Sequence, residues 1–171
     1  MKKILLSLLL IVGIVYAESN TTEPQFKVKI NKPVSKKPAS NKPMMDIAYN
    51  MPIDMNSKFL CEATLGNGKT VYFISVKAMM MVYNHQDYFK KNKLLEDDIA
   101  QIYIHDYLSG DKLEAQKAVY VFGSRLIGPH GDDLIPLISE DKAKLFELKY
   151  GGHKILPFEK LDKGLIRYLD M

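Results

Sequence analysis
From Lys58 onward, apolar and polar positions follow a regular pattern. Phe59, Cys61, Ala63 and Leu65 alternate with Leu60, Glu62 and Thr64, the period of a half-buried strand. Gly66-Asn67-Gly68 supplies a tight turn, because Asn and Gly accept positive φ, and Lys69 to Ser75 returns as the second strand of a hairpin. Ser75 is placed to cap a helix in which Val76, Met79, Met80 and Tyr83 share one face. That helix is expected to fray near Lys90-Lys91-Asn92, and Ile99 to Tyr107 to form a third strand closed by Ser109-Gly110.

The second half repeats the order of the first. Ala118 to Phe122 and Leu134 to Ile138 read as strands. Ser139 caps a helix whose first turn holds Glu140 and Asp141, favourable at the positive end of the dipole. Ala143, Phe146 and Leu148 to Tyr150 are expected to carry its buried side, and Gly151-Gly152 ends it. His153 to Leu156 is a last strand and Leu161 to Leu169 a closing helix. Ile74-Ser75 with Lys77-Ala78, and Ile138-Ser139 with Lys142-Ala143, stand at matching points of two ββαβ passes. Two such units packed together make an α+β domain, expected over residues 44–171.

The amino terminus has a different pattern. Lys2 and Lys3 precede an apolar run from Ile4 to Val15, and Ala17 offers a small residue for cleavage. A run of about a dozen residues falls short of the roughly 20 that span a bilayer, so residues 1–17 read as a cleavable signal peptide. No later segment is long and apolar enough to span. The mature chain is therefore expected without a transmembrane segment and, lacking a cysteine after Ala17 for lipid attachment, in the periplasm. Residues 18–43 carry Pro24, Pro33, Pro38 and Pro43 among six lysines and read as a disordered tether.

Charge follows this division. The whole chain is +4, but the signal peptide and tether together hold more positive charge than that, leaving residues 44–171 slightly acidic. A nucleic-acid partner inferred from the basic isoelectric point is thereby excluded. The single cysteine, Cys61, excludes an internal disulfide framework and any multi-cysteine metal or redox centre. It shares its strand face with Phe59 and Ala63 and reads as a buried, inert thiol. Met79 and Met80 read as core. His85, His105 and His153 lack metal spacing between them and read as satisfied or solvated side chains. Glu96-Asp97-Asp98 and Asp132-Asp133 read as solvated turns. No nucleophile elbow, phosphate loop, dinucleotide fingerprint or zinc-protease motif is present, which points to a binding protein rather than an enzyme.

An ordered set of short elements resembles one family. Ile102 to Gly110, with its Asp106-Tyr107 before a turn, is similar to the strand and Asp-Tyr element of NosL proteins. Ala115-Gln116-Lys117-Ala118-Val119-Tyr120-Val121, continuing to Gly123-Ser124, resembles the family's Ala-x-x-Ala-x-Tyr-Val-x-Gly-Ser run. Gly128-Pro129-His130-Gly131 stands where Gly-Pro-Met-Gly is usual, Tyr150-Gly151-Gly152 resembles its Gly-Gly ending, and Val76-Lys77-Ala78-Met79 its Lys-x-Met segment. The likeness covers roughly residues 58–160. It implies a fold of two related ββαβ units and the role of NosL proteins, copper-binding accessory factors for nitrous oxide reductase.

The resemblance also implies a site. The family's Cys-Gly-Met element falls at Ala48-Tyr49-Asn50-Met51, so Met51 is retained and the cysteine is not. His130 stands in place of a second-half methionine. The expected ligands for one Cu(I) ion are Met51 and His130, with Met44, Met45 and Met55 as neighbouring thioethers, since thioether and imidazole suit a soft ion. Apolar filler is the competing reading for those methionines. The partner implied is an exported copper enzyme or a copper transporter. The missing cysteine keeps a second possibility open, a metal-free protein-interaction module on the same fold.

Overall fold
The computed structural model describes residues 43–171. The expected signal peptide, and all of the tether but Pro43, lie outside the described residues. Two antiparallel sheets form the framework. The first has strand order β2-β1-β3-β4, from β1 (Cys61–Leu65), β2 (Thr70–Phe73), β3 (Ile99–His105) and β4 (Lys112–Glu114). The second has order β6-β5-β7, from β5 (Val119–Phe122), β6 (Ile135–Leu137) and β7 (Lys154–Pro157). In each unit the first strand lies in the middle, its hairpin partner on one side and the strand after the helix on the other. The two ββαβ passes therefore share one topology, and β4 is an addition to the first.

Strand alternation is realised as expected. Cys61, Ala63 and Leu65 are buried, with Glu62 and Thr64 half-buried between them. Cys61 pairs with Phe73 on one side and Ile104 on the other, so three apolar residues meet across the sheet. Each fully buried aliphatic or aromatic side chain of this kind contributes about 1.5–3 kcal/mol relative to exposure.

Helix α1 (Val76–Asn84) is capped by Ser75, whose side chain accepts from the Ala78 amide, and α3 (Glu140–Tyr150) by Ser139, which accepts from that of Lys142. Met79 and Met80 are core residues, 0% and 1% exposed. Gly151 ends α3 at φ 74°, in the left-handed region that suits glycine. The long helix expected after Ser75 is interrupted at His85, and Gln86–Lys91 form a separate α2. Residues flanking the break are tied elsewhere: the Asn84 side chain donates to the Leu161 carbonyl at 3.0 Å, and the Gln86 side chain accepts from the Ile99 amide at 2.7 Å. Helix α4 (Lys163–Leu169) begins two residues later than expected, capped by Asp162.

One large apolar cluster joins β1, β2, β3 and α1 to Tyr120, Leu134, Leu161, Ile166 and Leu169. A smaller one, Val121, Ile135, Leu137, Ala143 and Phe146, lies between the second sheet and α3. Adjacent residues of β5 thus face different clusters, Tyr120 one and Val121 the other, which is the period of two at work. Asp106 joins the sheets: its carboxylate accepts from the Leu108 and Ser109 amides and from that of Ile138 in the other unit. Among the described residues no helix is long and apolar enough to cross a membrane.

Candidate functional site
Two loops and the end of one helix converge on Lys77, in the first turn of α1. The first loop runs from Met44 to Ile53. Met45 and Pro52 form an isolated antiparallel bridge, and the Ile53 amide donates to the Met44 carbonyl at 2.8 Å. Inside that closure Asp46 organises the turn. One carboxylate oxygen accepts from the Ala48 and Tyr49 amides at 2.9 and 2.7 Å, and the other from the Ile74 amide at 3.2 Å. Asp46 is 1% exposed, and burial raises its pKa against the pull of those amides. Asn50 sits at φ 53°, a conformation Asn tolerates better than most residues.

The second loop is Gly128-Pro129-His130-Gly131, closed by the Gly128 amide donating to the Gly131 carbonyl at 2.8 Å. A Cβ on Gly128 would meet the Asp133 side chain at 2.9 Å, so only glycine fits where the loop crosses that residue. Asp133 itself is buried beneath it. One of its oxygens accepts from the Lys77 and Leu134 amides, both at 2.9 Å, and Oδ2 has no hydrogen-bond partner. Burial pushes the Asp133 pKa up to about 6, against the Ser75 hydroxyl, the two amides and the Lys77 charge.

The third element is the end of α4. The Lys77 ammonium, 1% exposed, donates to the His130 carbonyl at 2.6 Å and the Leu169 carbonyl at 3.1 Å, and lies 3.5 Å from the Asp170 carboxylate. Tyr49 closes the arrangement. Its ring stacks on that of His130 at 3.9 Å and 18°, and its hydroxyl donates to Asp170 at 2.9 Å. The Lys77 ammonium lies 5.5 Å from the centre of the same ring. Burial first, then the Asp170 bond, pushes the Tyr49 pKa upward, so the hydroxyl stays a donor. His130 Nδ1 is 3.7 Å from the Asp170 carboxylate.

The candidate ligands are thus partly gathered. Met51 and His130 belong to neighbouring segments, because Tyr49, two residues before Met51, packs on the His130 ring. The Met51 carbonyl accepts from the Asp46 amide at 2.8 Å and its side chain is half-buried against the large core. Met44 and Met45 are exposed at the base of the same loop. Met55 is elsewhere, lining a shallow cavity of about 210 Å³ with His105 and Leu60. Cys61 is buried in β1, and burial raises its pKa, as suits an inert thiol. Among the described residues no three His, Cys, Asp or Glu side chains form a metal-binding group.

Three participants escaped the sequence reading. Lys77 was visible only as part of a helix start, and Asp170 lay just beyond the expected closing helix. Asp133 was expected on a solvated turn and is instead 3% exposed. The Gly-rich loop that covers it lies next to it in sequence, so a buried carboxylate under a glycine crossing was the available signal.

A family model for NosL matches residues 45–166. The chain belongs to the NosL family. Among solved structures it is similar to the copper chaperone NosL from Shewanella denitrificans, at 18% identity over 75% of this chain and 99% of that one, with a TM-score of 0.55. It is also similar to apo-NosL from Achromobacter cycloclastes, at 21% identity over 62% of this chain and 87% of that one, with a TM-score of 0.41. No curated protein matches.

Proposed function
We propose that this NosL-family chain is an exported copper-handling accessory protein, a binding protein rather than an enzyme, that carries one Cu(I) ion as cargo. Met51 and His130 are its main ligands, Met44 and Met45 supply further thioethers at the loop base, and Met55 lies outside the site. The ion comes from or goes to an exported copper enzyme or a copper transporter, with residues 18–43 as a tether in the periplasm. The observation that carries this reading is the stacking of Tyr49 on His130, which brings the Met51 loop against the imidazole loop. Neutral thioether and imidazole donors suit a soft monovalent ion and need no deprotonation.

Two features keep the binding weak enough for transfer. The thiolate of the family pattern is gone, and the Lys77 ammonium beneath the loop repels a second cation. Titration of the full chain with Cu(I) against a chromophoric competitor tests the reading. One equivalent should be lost or weakened at least about tenfold in the double variant Met51→Leu/His130→Ala. Because Lys77 holds the His130 carbonyl rather than its ring, the variant keeps the loop in place. Binding that is unchanged in the variant, or absent from the unaltered chain, would sink the copper reading.

The ring in the thiol position motivates a second reading, a metal-free interaction module on the same fold. It predicts no Cu(I) uptake and specific capture of one exported partner by the unaltered chain.

A further inference from the structure
A groove of about 660 Å³ lies between the α1–α2 corner and α4. Lys163, Ile166, Arg167 and Asp170 line it from α4 and its C-cap, with the spacing of a single helix face. Met81, Tyr88 and Phe89 line it from the other side. The break at His85 separates Met81 from Tyr88 and Phe89, so two short helices rather than one long helix form that wall. Phe89 and Ile166, 5% and 4% exposed, make the floor apolar, while Tyr88 and Met171 also line the groove and are exposed. None of Met51, His130 and Lys77 lines it, so the groove can be tested apart from the copper reading.

The charge of this groove is one-sided. Lys163 and Arg167 are four residues apart on α4, which sets their Cβ atoms about 5–6 Å from each other. Neither is in an ion pair among the described residues. The carboxylate in the lining is already engaged: Asp170 accepts from the Tyr49 hydroxyl at 2.9 Å and lies 3.5 Å from the Lys77 ammonium. Asp87 and Asp98, which share a polar hollow with Lys163, both pair with Lys90. A slightly acidic domain therefore holds two uncompensated cations beside an apolar floor.

We propose that this groove binds an amphiphilic carboxylate of the fatty-acid class, its head group held by Lys163 and Arg167 and its alkyl chain over Met81, Phe89 and Ile166. Both cations donate to a carboxylate, Arg through a planar fork that matches the two oxygens, and both repel a cationic head group. The volume lies within the range of small-molecule sites, which are mostly apolar with a few polar groups that fix orientation. The unbranched Met81 side chain adapts to a flexible alkyl chain. An extended peptide fits less well, because α1 and α4 use their backbone groups within the helices and present no row of main-chain partners.

Photolabelling of the full chain with a diazirine-bearing dodecanoic acid, mapped by peptide mass, tests this without copper present. Adducts should fall within residues 81–89 and 163–171. Excess dodecanoate should compete them away, whereas dodecanol and dodecyltrimethylammonium, with the same chain and no negative charge, should not. Lys163→Glu/Arg167→Glu, at exposed positions, should reduce this labelling at least about tenfold. Lys163→Arg/Arg167→Lys, which keeps both charges, should retain it, as should Lys142→Glu/Lys144→Glu on the exposed side of α3. Adducts confined to other residues, equal competition by dodecanol, or labelling unchanged in Lys163→Glu/Arg167→Glu overturns the proposal. Competition by a polyglutamate peptide as effective as that by dodecanoate also overturns it and assigns the groove to an acidic protein segment.

Discussion
Helices α1 and α3 begin alike and serve different ends. Each follows a hairpin, each is capped by a serine that accepts from the amide three residues on, and each has a lysine and an alanine in its first turn. Yet α1 is buried at Val76, Lys77, Ala78, Met79, Met80 and Val82, whereas α3 buries only Ala143 and Phe146. Leu148, expected on the buried side of α3, is instead exposed, as is Leu145, because only the face carrying Ala143 and Phe146 meets the sheet. The difference lies in what covers each helix. Helix α1 is enclosed by the first sheet, by α4 and by the loops at Asp46 and His130, while α3 lies on one small sheet with solvent beyond. A lysine in a helix's first turn, next to the positive end of the dipole, is poorly placed electrostatically. In α1 that arrangement is held by two carbonyls and the Asp170 carboxylate; in α3 the corresponding Lys142 is exposed. Repetition of topology therefore supplied two equivalent helix starts, and only one of them is enclosed.

The largest test of this contrast is removal of the two lysines. Lys77→Met should cost about 3–5 kcal/mol, because it leaves buried acceptors and carboxylates without their cation. Lys142→Met should change stability by less than about 0.5 kcal/mol, as an exposed substitution. Urea unfolding of both variants at pH 7 measures the gap, and similar midpoints would refute the distinction between the helix starts.

Next comes the pH dependence of the enclosed end. Folded Asp133 holds its proton up to about pH 6, whereas the unfolded carboxyl releases it near 3.8. The folded state therefore binds more protons between those values, and stability falls as pH rises through the window, by up to about 3 kcal/mol for this group. Asp46, also raised by burial, adds in the same direction. Asp133→Asn should flatten the profile recorded from pH 4 to 7, whereas Asp141→Asn, in the exposed first turn of α3, should leave it as it was.

The smallest effect concerns the caps. Ser75→Ala should cost about 1–2 kcal/mol and Ser139→Ala about 0.5–1 kcal/mol, within the range for N-caps. Ser75 is fully buried beside Asp133, and water cannot replace its hydroxyl, whereas the start of α3 is open to solvent. Thermal unfolding of the pair reads the difference, and equal shifts would show that enclosure adds nothing to the cap.

Much of the framework was legible in the sequence because it rests on local interactions. Alternation along Cys61 to Leu65 and the glycine at the end of α3 each depend on residues a few positions apart. The caps at Ser75 and Ser139 do too. The break at His85 was not legible, since the bonds that accompany it reach Leu161 and Ile99. β4 was missed because a strand of three residues, one exposed and two half-buried, carries too short an alternation to recognise.

The candidate site divides the same way. The segment around Met51, and His130 in a turn between glycines, could be picked out as candidates from residue order alone. Lys77 could not, because its ammonium meets carbonyls 53 and 92 residues along the chain. Asp133 was misplaced for a related reason: two adjacent acidic residues look alike in sequence, and only packing against the Lys77 amide, 56 residues away, buries one of them. What the sequence determined by itself was two ββαβ passes and their caps. Tertiary structure alone decided which helix start would be enclosed and which carboxylate buried, because burial is a property of elements brought together across the whole chain and of no local stretch.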